Sequence, residues 1–326
     1  MPDKECVMKQ LRIDVQNTDH PIRLDKYISS QNNQSWSRNY VTYLIKSNFV
    51  HVNQKLEKPK YAVKSGDTID IIVPDTLPEN HIIPENIPLN ILFEDDHLLI
   101  INKPSALCVH PSPGHPSGTV INALIYHYPE IREIGGRHGI VHRLDQDTTG
   151  CLMTAKTNDA HKQLCNAFKN RDIQKEYHAL VYGSMEKQKG VIRSLIGRHP
   201  VDRKKMSVHC KNGRDAITNY HVIQRYPGLS LVKLHPKTGR THQIRVHLAS
   251  MKNPIVGDQL YSGKTNKNLS KEMKIIIQDF VKRQMLHASK ISFYHPISAQ
   301  KITIEAQFPK DMTHLFQKLK PFEISD

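Results

Sequence analysis

Four prolines fall within PDTLPENHIIPENIP, residues 74–88, and no regular element can run through such a stretch. Proline fixes φ and carries no N–H, so a helix interior or a central strand rejects it. The chain must therefore fold on either side of this segment, joined by stiff and extended backbone. The reading is a small domain over residues 20–74, a linker over 75–88 and a larger domain over 89–326. With 326 residues and 38% hydrophobic content, both parts can bury a core.

The small segment opens with IRLDKYI, whose Ile22, Leu24, Tyr27 and Ile28 have helical spacing. SWSRNYVTYLIKSN follows, with Ser37 placed as an N-cap and Tyr40, Val41, Leu44 and Ile45 on one face. Asn48 suits the left-handed residue that ends such a helix. FVHVNQK alternates as a strand does and turns at Asn53-Gln54, and VKSGDTIDIIVP adds a Gly-Asp turn and a last strand. The predicted order is helix, helix, hairpin, strand.

The large segment mixes strands and helices without regular alternation. ILFED, HLLIINKP, KEYHALVYG, LSLVKLHP and KITIEAQF read as strands, as do the ends of Gly139–Val141 and Gly150–Ala155. SGTVINALIYHY, capped near Ser117, reads as a helix. So do TNDAHKQLCNAFKNR, with Leu164, Ala167 and Phe168 on one side, and HQIRVHLASM, beginning near Thr241. This pattern favours an α+β domain, a mixed and largely antiparallel sheet flanked by helices, over a doubly wound fold.

Charge narrows the partner. The chain carries 46 Lys+Arg against 31 Asp+Glu, a formal +15, which points to a polyanion. Five scattered cysteines with no C-x-x-C pair argue against a disulfide framework and a zinc knuckle, and fit a reducing compartment. The charged start MPDKECVMKQ is unlike a signal peptide, and the apolar runs are too short to span a bilayer. A cytoplasmic protein with no membrane partner is expected.

Three clusters could carry chemistry. HRLDQD, residues 142–147, lies between two apolar runs. Asp147 has a turn to serve, whereas Asp145 has no evident structural duty. HPKTGRTHQIRVH, residues 235–247, sets Lys237, Arg240 and Arg245 about a Thr-Gly turn, an arrangement suited to an anion and equally to a basic surface loop. Tyr177 is a strand aromatic, whose ordinary fate is core filling. None of the three is specific alone.

Their order is specific. The first segment resembles the S4 RNA-binding domain through Arg23, Leu24, Asp25, Ser37, Arg38, Leu44, Ile45, Val50, Val52, Asn53, Gly66 and Asp67. Asn48 and Gln54 stand where that family has glycine. Asn tolerates positive φ at little cost; Gln54 tolerates it less well, so a looser hairpin is expected. By this resemblance Arg23, Arg38, Lys46 and Lys55 are the RNA-gripping candidates.

The remainder resembles the RluA family of pseudouridine synthases. It carries Lys103-Pro104 with His110-Pro111, His142 to Asp145 with Thr148, Thr149 and Gly150, Lys175 to Tyr177, Thr238 to His247, and Leu286 to Ala288. Thr149 stands where Ser is common. The leading S4-like unit and IGRHPVDRKKMSVH at 196–209 are most similar to the D-type members, which act on large-subunit ribosomal RNA.

The resemblance implies cofactor-free and metal-free isomerisation of uridine in 23S ribosomal RNA. Asp145 is then the essential carboxylate and must be ionised. Arg245 is its expected guanidinium partner, ahead of Arg240, and a guanidinium there keeps an Asp charged in a partly dry pocket. Tyr177 would stack on the uracil and could take the C5 proton, although an ordinary tyrosine hydroxyl is a poor base at neutral pH. Arg143 fills the place vacated by the extruded nucleotide, and His142, grouped with the RNA-contacting candidates, either supports the loop or simply packs. Lys237 and Arg240 bind RNA. A monomer is expected. The competing readings are a non-catalytic S4-type RNA-binding or ribosome-assembly factor, and a metal-dependent nuclease using Asp145, Asp147, His138 and His142.

Overall fold

The computed structural model describes residues 9–16, 22–30, 38–73, 82–111, 117–202, 204–210, 212–263 and 269–324. The chain divides into two compact units, residues 1–81 and 82–326. Ser37 and the Tyr40 side chain, both assigned above, lie outside what is described.

The first unit contains strands β1 (Lys9–Asp14) and β2 (Ile22–Arg23), helices α1 (Leu24–Ser30) and α2 (Arg38–Lys46), and strands β3 (Val50–Val52), β4 (Lys55–Leu56), β5 (Ala62–Val63) and β6 (Thr68–Val73). Four strands form a sheet in the order β1-β6-β3-β4, and β2 pairs with β5. Leu24, Ile28, Val41, Leu44, Ile69 and Ile71 fill the core. Asn48 is left-handed at the end of α2, as its side chain permits. The β3–β4 turn departs from expectation: Asn53 and Gln54 are both left-handed (φ 50° and 66°) in a tight two-residue turn. The Asn53 side chain explains it. Its Oδ1 accepts from Thr68 N–H at 2.9 Å and its Nδ2 donates to Asp67 at 2.8 Å. These bonds anchor the turn to the start of β6 and offset the strain at Gln54.

The second unit begins earlier than its composition suggests. Residues 82–88, read as linker, are tied to it. Asn122 Nδ2 donates to Ile83 O at 2.8 Å, Glu85 N–H to Asn122 O at 3.1 Å, and Gly118 N–H to the Glu85 carboxylate at 2.9 Å. Extended proline-rich chain has free carbonyls, and here buried polar groups take them up.

Its strands are β7 (Ile91–Glu94), β8 (Leu98–Lys103), β9 (Thr149–Ala155), β10 (Gln174–Tyr182), β11 (Lys189–Arg198), β12 (Met206–Ser207), β13 (Arg214–Tyr226), β14 (Leu229–Pro236), β15 (Leu286–Tyr294) and β16 (Lys301–Glu305). They form one sheet in the order β12-β11-β13-β14-β10-β15-β9-β8-β7, with β16 also on β15. Among the described pairs only β9–β15 is parallel, so the sheet is mixed and largely antiparallel. Helices α3 (Val120–His127), α4 (Asn158–Asn170), α5 (Gln243–Ser250), α6 (Lys271–Phe280) and α7 (Lys310–Leu319) complete the α+β unit.

Two local signals differ from expectation. The cap of α3 is Thr119, which exchanges capping bonds with Asn122, so Ser117 is not the cap. The Gly139–Val141 segment makes only an isolated bridge, Ile140 to Thr154. No described helix is long and apolar enough to cross a membrane.

Candidate active site

Strand β9 is buried at every position, which its TGCLMTA run allows because it lies between β8 and β15. Gly150 makes the parallel pairing possible. A Cβ there would sit 2.2 Å from Ala288 O, so only glycine lets the β15 backbone approach. Thr148 N–H closes a turn onto Asp145 O, and HRLDQD thus sits at the edge of a rigid strand.

Buried cations hold that loop by its backbone. Lys103, fully buried, donates through Nζ to Gln146 O at 2.7 Å, Leu107 O at 2.9 Å and Pro104 O at 2.8 Å. Burial lowers its pKa to about 8. Arg283 donates to Asp147 O at 2.9 Å while its other nitrogens grip Asp311. Gln284 Nε2 reaches Thr148 Oγ1, and His287 Nδ1 lies 2.8 Å from Thr149 Oγ1. Asp145 is therefore presented on backbone pinned on both sides, which is what preorganised chemistry requires.

The Asp145 carboxylate meets Arg245, which α5 projects at 5% exposure. Arg245 Nη1 donates to Asp145 Oδ2 at 2.9 Å. The other side of the fork, Nε and Nη2, binds Asp258 at 2.7 and 2.9 Å. Asp258 is fully buried and also accepts from Leu260 and Tyr261 N–H. One guanidinium thus bridges a buried carboxylate and a partly open one. Burial works against the Arg245 charge, but Asp258 and Asp145 outweigh it and raise its pKa. Arg245 also lies over the Tyr261 ring, 5.1 Å from its centroid. His242 Nδ1 is 2.8 Å from Tyr261 Oη, and its Nε2 is 4.0 Å from Asp145. Burial lowers the His242 pKa, against the pull of Asp145.

These groups open on a cavity of about 540 Å³, within the range of small-molecule sites. Its only acid among the described residues is Asp145. Its cations include Arg137, Arg143, Arg171, Lys175, Lys237 and Arg240. Tyr177 lines it from β10, 9% exposed. Burial, then Asp145 and Cys151, push the Tyr177 hydroxyl well above its usual range, the opposite of tuning it toward a base. What Tyr177 offers is a ring and a neutral hydroxyl.

Asp145, Tyr177, Arg143, Lys237, Arg240 and Arg245 therefore share one cavity. Arg143 and Lys237 are exposed at it. Arg240 Nε is taken by Asp215 O at 3.0 Å, which leaves Arg245 as the partner of Asp145. His142, offered above as an RNA contact, is a support. Its Nε2 accepts from Met153 N–H at 2.8 Å and its ring stacks on Phe168 at 4.8 Å. Burial, then Lys175, lowers its pKa to about 3.

In the first unit, Arg23 and Arg38 both chelate Asp25, with bonds of 2.9 to 3.3 Å. Burial would raise the Asp25 pKa, but the two guanidiniums outweigh it and hold the carboxyl below the usual range. Each arginine remains half exposed with its direction fixed. Lys46 and Lys55 are exposed.

Asp258, His242, Tyr261, Lys103 as a loop anchor, and Arg283 were missed as site residues. Asp258 lies in PIVGDQLY, where a Gly-Asp pair reads as an ordinary turn. Gly257 is left-handed (φ 81°), and its Cβ would strike Arg283 O at 2.0 Å. That close approach is invisible to spacing. Among the described residues, no group of three or more His, Cys, Asp or Glu could hold a metal ion.

A family model described as RNA pseudouridylate synthase matches residues 97–250, and one described as S4 domain matches residues 22–69. The chain is 43% identical over 288 residues to Ribosomal large subunit pseudouridine synthase D of Pasteurella multocida, covering 87% of each. It is 40% identical over 303 residues to an uncharacterized RNA pseudouridine synthase of Aquifex aeolicus, covering 91% of this chain and 94% of that one. Among solved structures, Human RNA Pseudouridylate Synthase Domain Containing 4 aligns with a TM-score of 0.57 at 26% identity, over 71% of this chain and 93% of that one.

Proposed function

The chain belongs to the RNA pseudouridylate synthase family, and from that premise we propose that it isomerises uridines of large-subunit ribosomal RNA, without a cofactor, through Asp145. The observation that carries the reading is the Asp145–Arg245 pair, the one carboxylate among the described residues lining a cavity that also presents several cations and the Tyr177 ring. Relatives named for the large ribosomal subunit, at about 40% identity over most of the chain, support that RNA as substrate.

The target uridine must leave its stack to reach a recessed carboxylate, at a cost of a few kcal/mol. In this reading Arg143 occupies the gap, which its exposure beside the cavity supports. Asp145 then acts on the sugar, by attack on C1′ or by removal of the C2′ proton. The N1–C1′ bond breaks in either case. The freed uracil turns on Tyr177, and C5 bonds to C1′ as the Asp145–C1′ bond breaks in the first route or as Asp145 returns its proton to C2′ in the second. The C5 proton leaves and N1 gains one, so the product is an isomer and no electrons are exchanged. Arg245 holds Asp145 aimed, and Lys237 and Arg240 hold flanking phosphates.

Two measurements test this. Large-subunit ribosomal RNA transcribed with C5-tritiated uridine should release tritium stoichiometrically with pseudouridine formed, and retain all its label if the chain is only a binding factor. Tyr177→Ala should lower kcat/KM by about 10–100-fold, the worth of one base–aromatic stack. Tyr177→Phe should return KM to the wild-type value, and any deficit left in kcat reports the hydroxyl. An unchanged Tyr177→Ala enzyme would remove the ring from the mechanism.

A further inference from the structure

Lys175 is the cavity group that the chemistry above leaves unused. It lies two residues before Tyr177 on β10, and both side chains line the cavity. Its Nζ stands 5.7 Å from the centroid of the Phe168 ring on α4. On the other side is the Thr238–Arg240 turn, where a Cβ added to Gly239 would lie 3.9 Å from that Nζ. The ammonium is thus suspended between an aromatic face and bare backbone.

The surrounding carboxylates are committed elsewhere. Glu176, its neighbour in sequence, faces Lys233 and His235 at 3.7 and 3.8 Å. Asp145 belongs to Arg245. Among the described residues no acceptor reaches the Lys175 Nζ, and burial alone pulls its pKa down to about 8. Lys103 is a useful contrast: it is more deeply buried, yet three carbonyls satisfy its donors. Lys175 is half-buried at the cavity wall, so its ammonium is partly desolvated yet still open to an incoming anion. Lys237 and Arg240 flank the same turn, so the local field is strongly positive.

We propose that Lys175 is a phosphate-binding residue of the active site, holding a backbone phosphate of the RNA strand against the Thr238–Arg240 turn while the adjacent uridine lies on Tyr177. The inference rests on the RNA-isomerase reading. It adds the missing anion: the non-bridging oxygens of a phosphodiester accept from the ammonium, and Gly239 lets it approach the turn backbone. Lysine suits the task as a compact charge that needs no fixed fork.

The test is Lys175→Met, which keeps length and apolar contact with Phe168 and removes the charge. RNA affinity for a large-subunit transcript should fall about tenfold, the value of one charge-assisted bond. The slope of log K against log salt should become shallower by about 0.7–0.9, one phosphate contact fewer. The melting temperature of the free protein should hold, since the half-buried ammonium makes no ion pair within the fold that the substitution would break. Lys175→Arg should restore the salt slope. A Lys175→Met slope equal to wild type overturns the proposal, and a lower melting temperature with that same slope marks Lys175 as a packing residue. Failure of the underlying reading looks different: the wild-type protein itself then releases no tritium.

Discussion

Asp145→Asn yields a protein that binds ribosomal RNA within about twofold of wild type and forms no detectable pseudouridine, a loss of at least about 10⁴-fold, on the scale of removing a reacting group. Asparagine has the volume of aspartate, and its Oδ1 can still accept the 2.9 Å bond from Arg245. The loop does not depend on the lost charge, since Lys103, Arg283, Gln284 and His287 hold it by other atoms. The cations proposed to meet phosphate are untouched. Folding should therefore change by less than about 1 kcal/mol, while the atom that attacks C1′ or takes the C2′ proton is gone. Tritium release and filter binding on the same preparation separate the two effects. Product formed at more than about one per cent of the wild-type rate would mean that Asp145 serves as an acceptor, with the chemistry elsewhere.

That aspartate was legible because HRLDQD left Asp145 without a local duty and the order of the motifs matched a known family; its pairing with the guanidinium of HPKTGRTHQIRVH, a hundred residues later, came from the resemblance alone. The architecture was readable where periodicity was clean: α4 runs Asn158–Asn170 behind its Thr157 cap, and β8, β10 and β14 fall on apolar runs. Strand β13 was silent for a physical reason. Its inward positions include Ala216, Thr218 and Tyr220, so alternation exists but hydrophobic contrast does not. Thr218 is buried because it bonds Gln243 and His247, partners only the tertiary fold brings near. Asp258 was silent for the same reason. A Gly-Asp turn looks alike whether its carboxylate faces water or closes on an arginine.

Arg245 is where that hidden contact has its largest energetic consequence. Arg245→Met should abolish activity and also destabilise the protein by about 3–5 kcal/mol, because Asp258 is left fully buried without its cation. The two losses have separate origins, and a double-mutant cycle divides them. In Arg245→Met, Asp258→Asn the buried charge is absent together with its partner, and Asn Oδ1 can still accept from Leu260 and Tyr261 N–H. Most of the stability should return, since deleting both members of a buried pair is far milder than deleting one. Activity should not return, because nothing then aims Asp145. Asp258→Asn alone tests the bridge from its other end. Arg245 keeps its hold on Asp145 but loses the bidentate clamp that fixes its plane, so kcat should fall with little change in KM. Urea melts of the single and double variants read the first effect, and single-turnover isomerisation reads the second. Recovery of both stability and activity in the double variant would show that Arg245 only neutralises Asp258; recovery of stability alone assigns it to both carboxylates, one for the fold and one for the reaction.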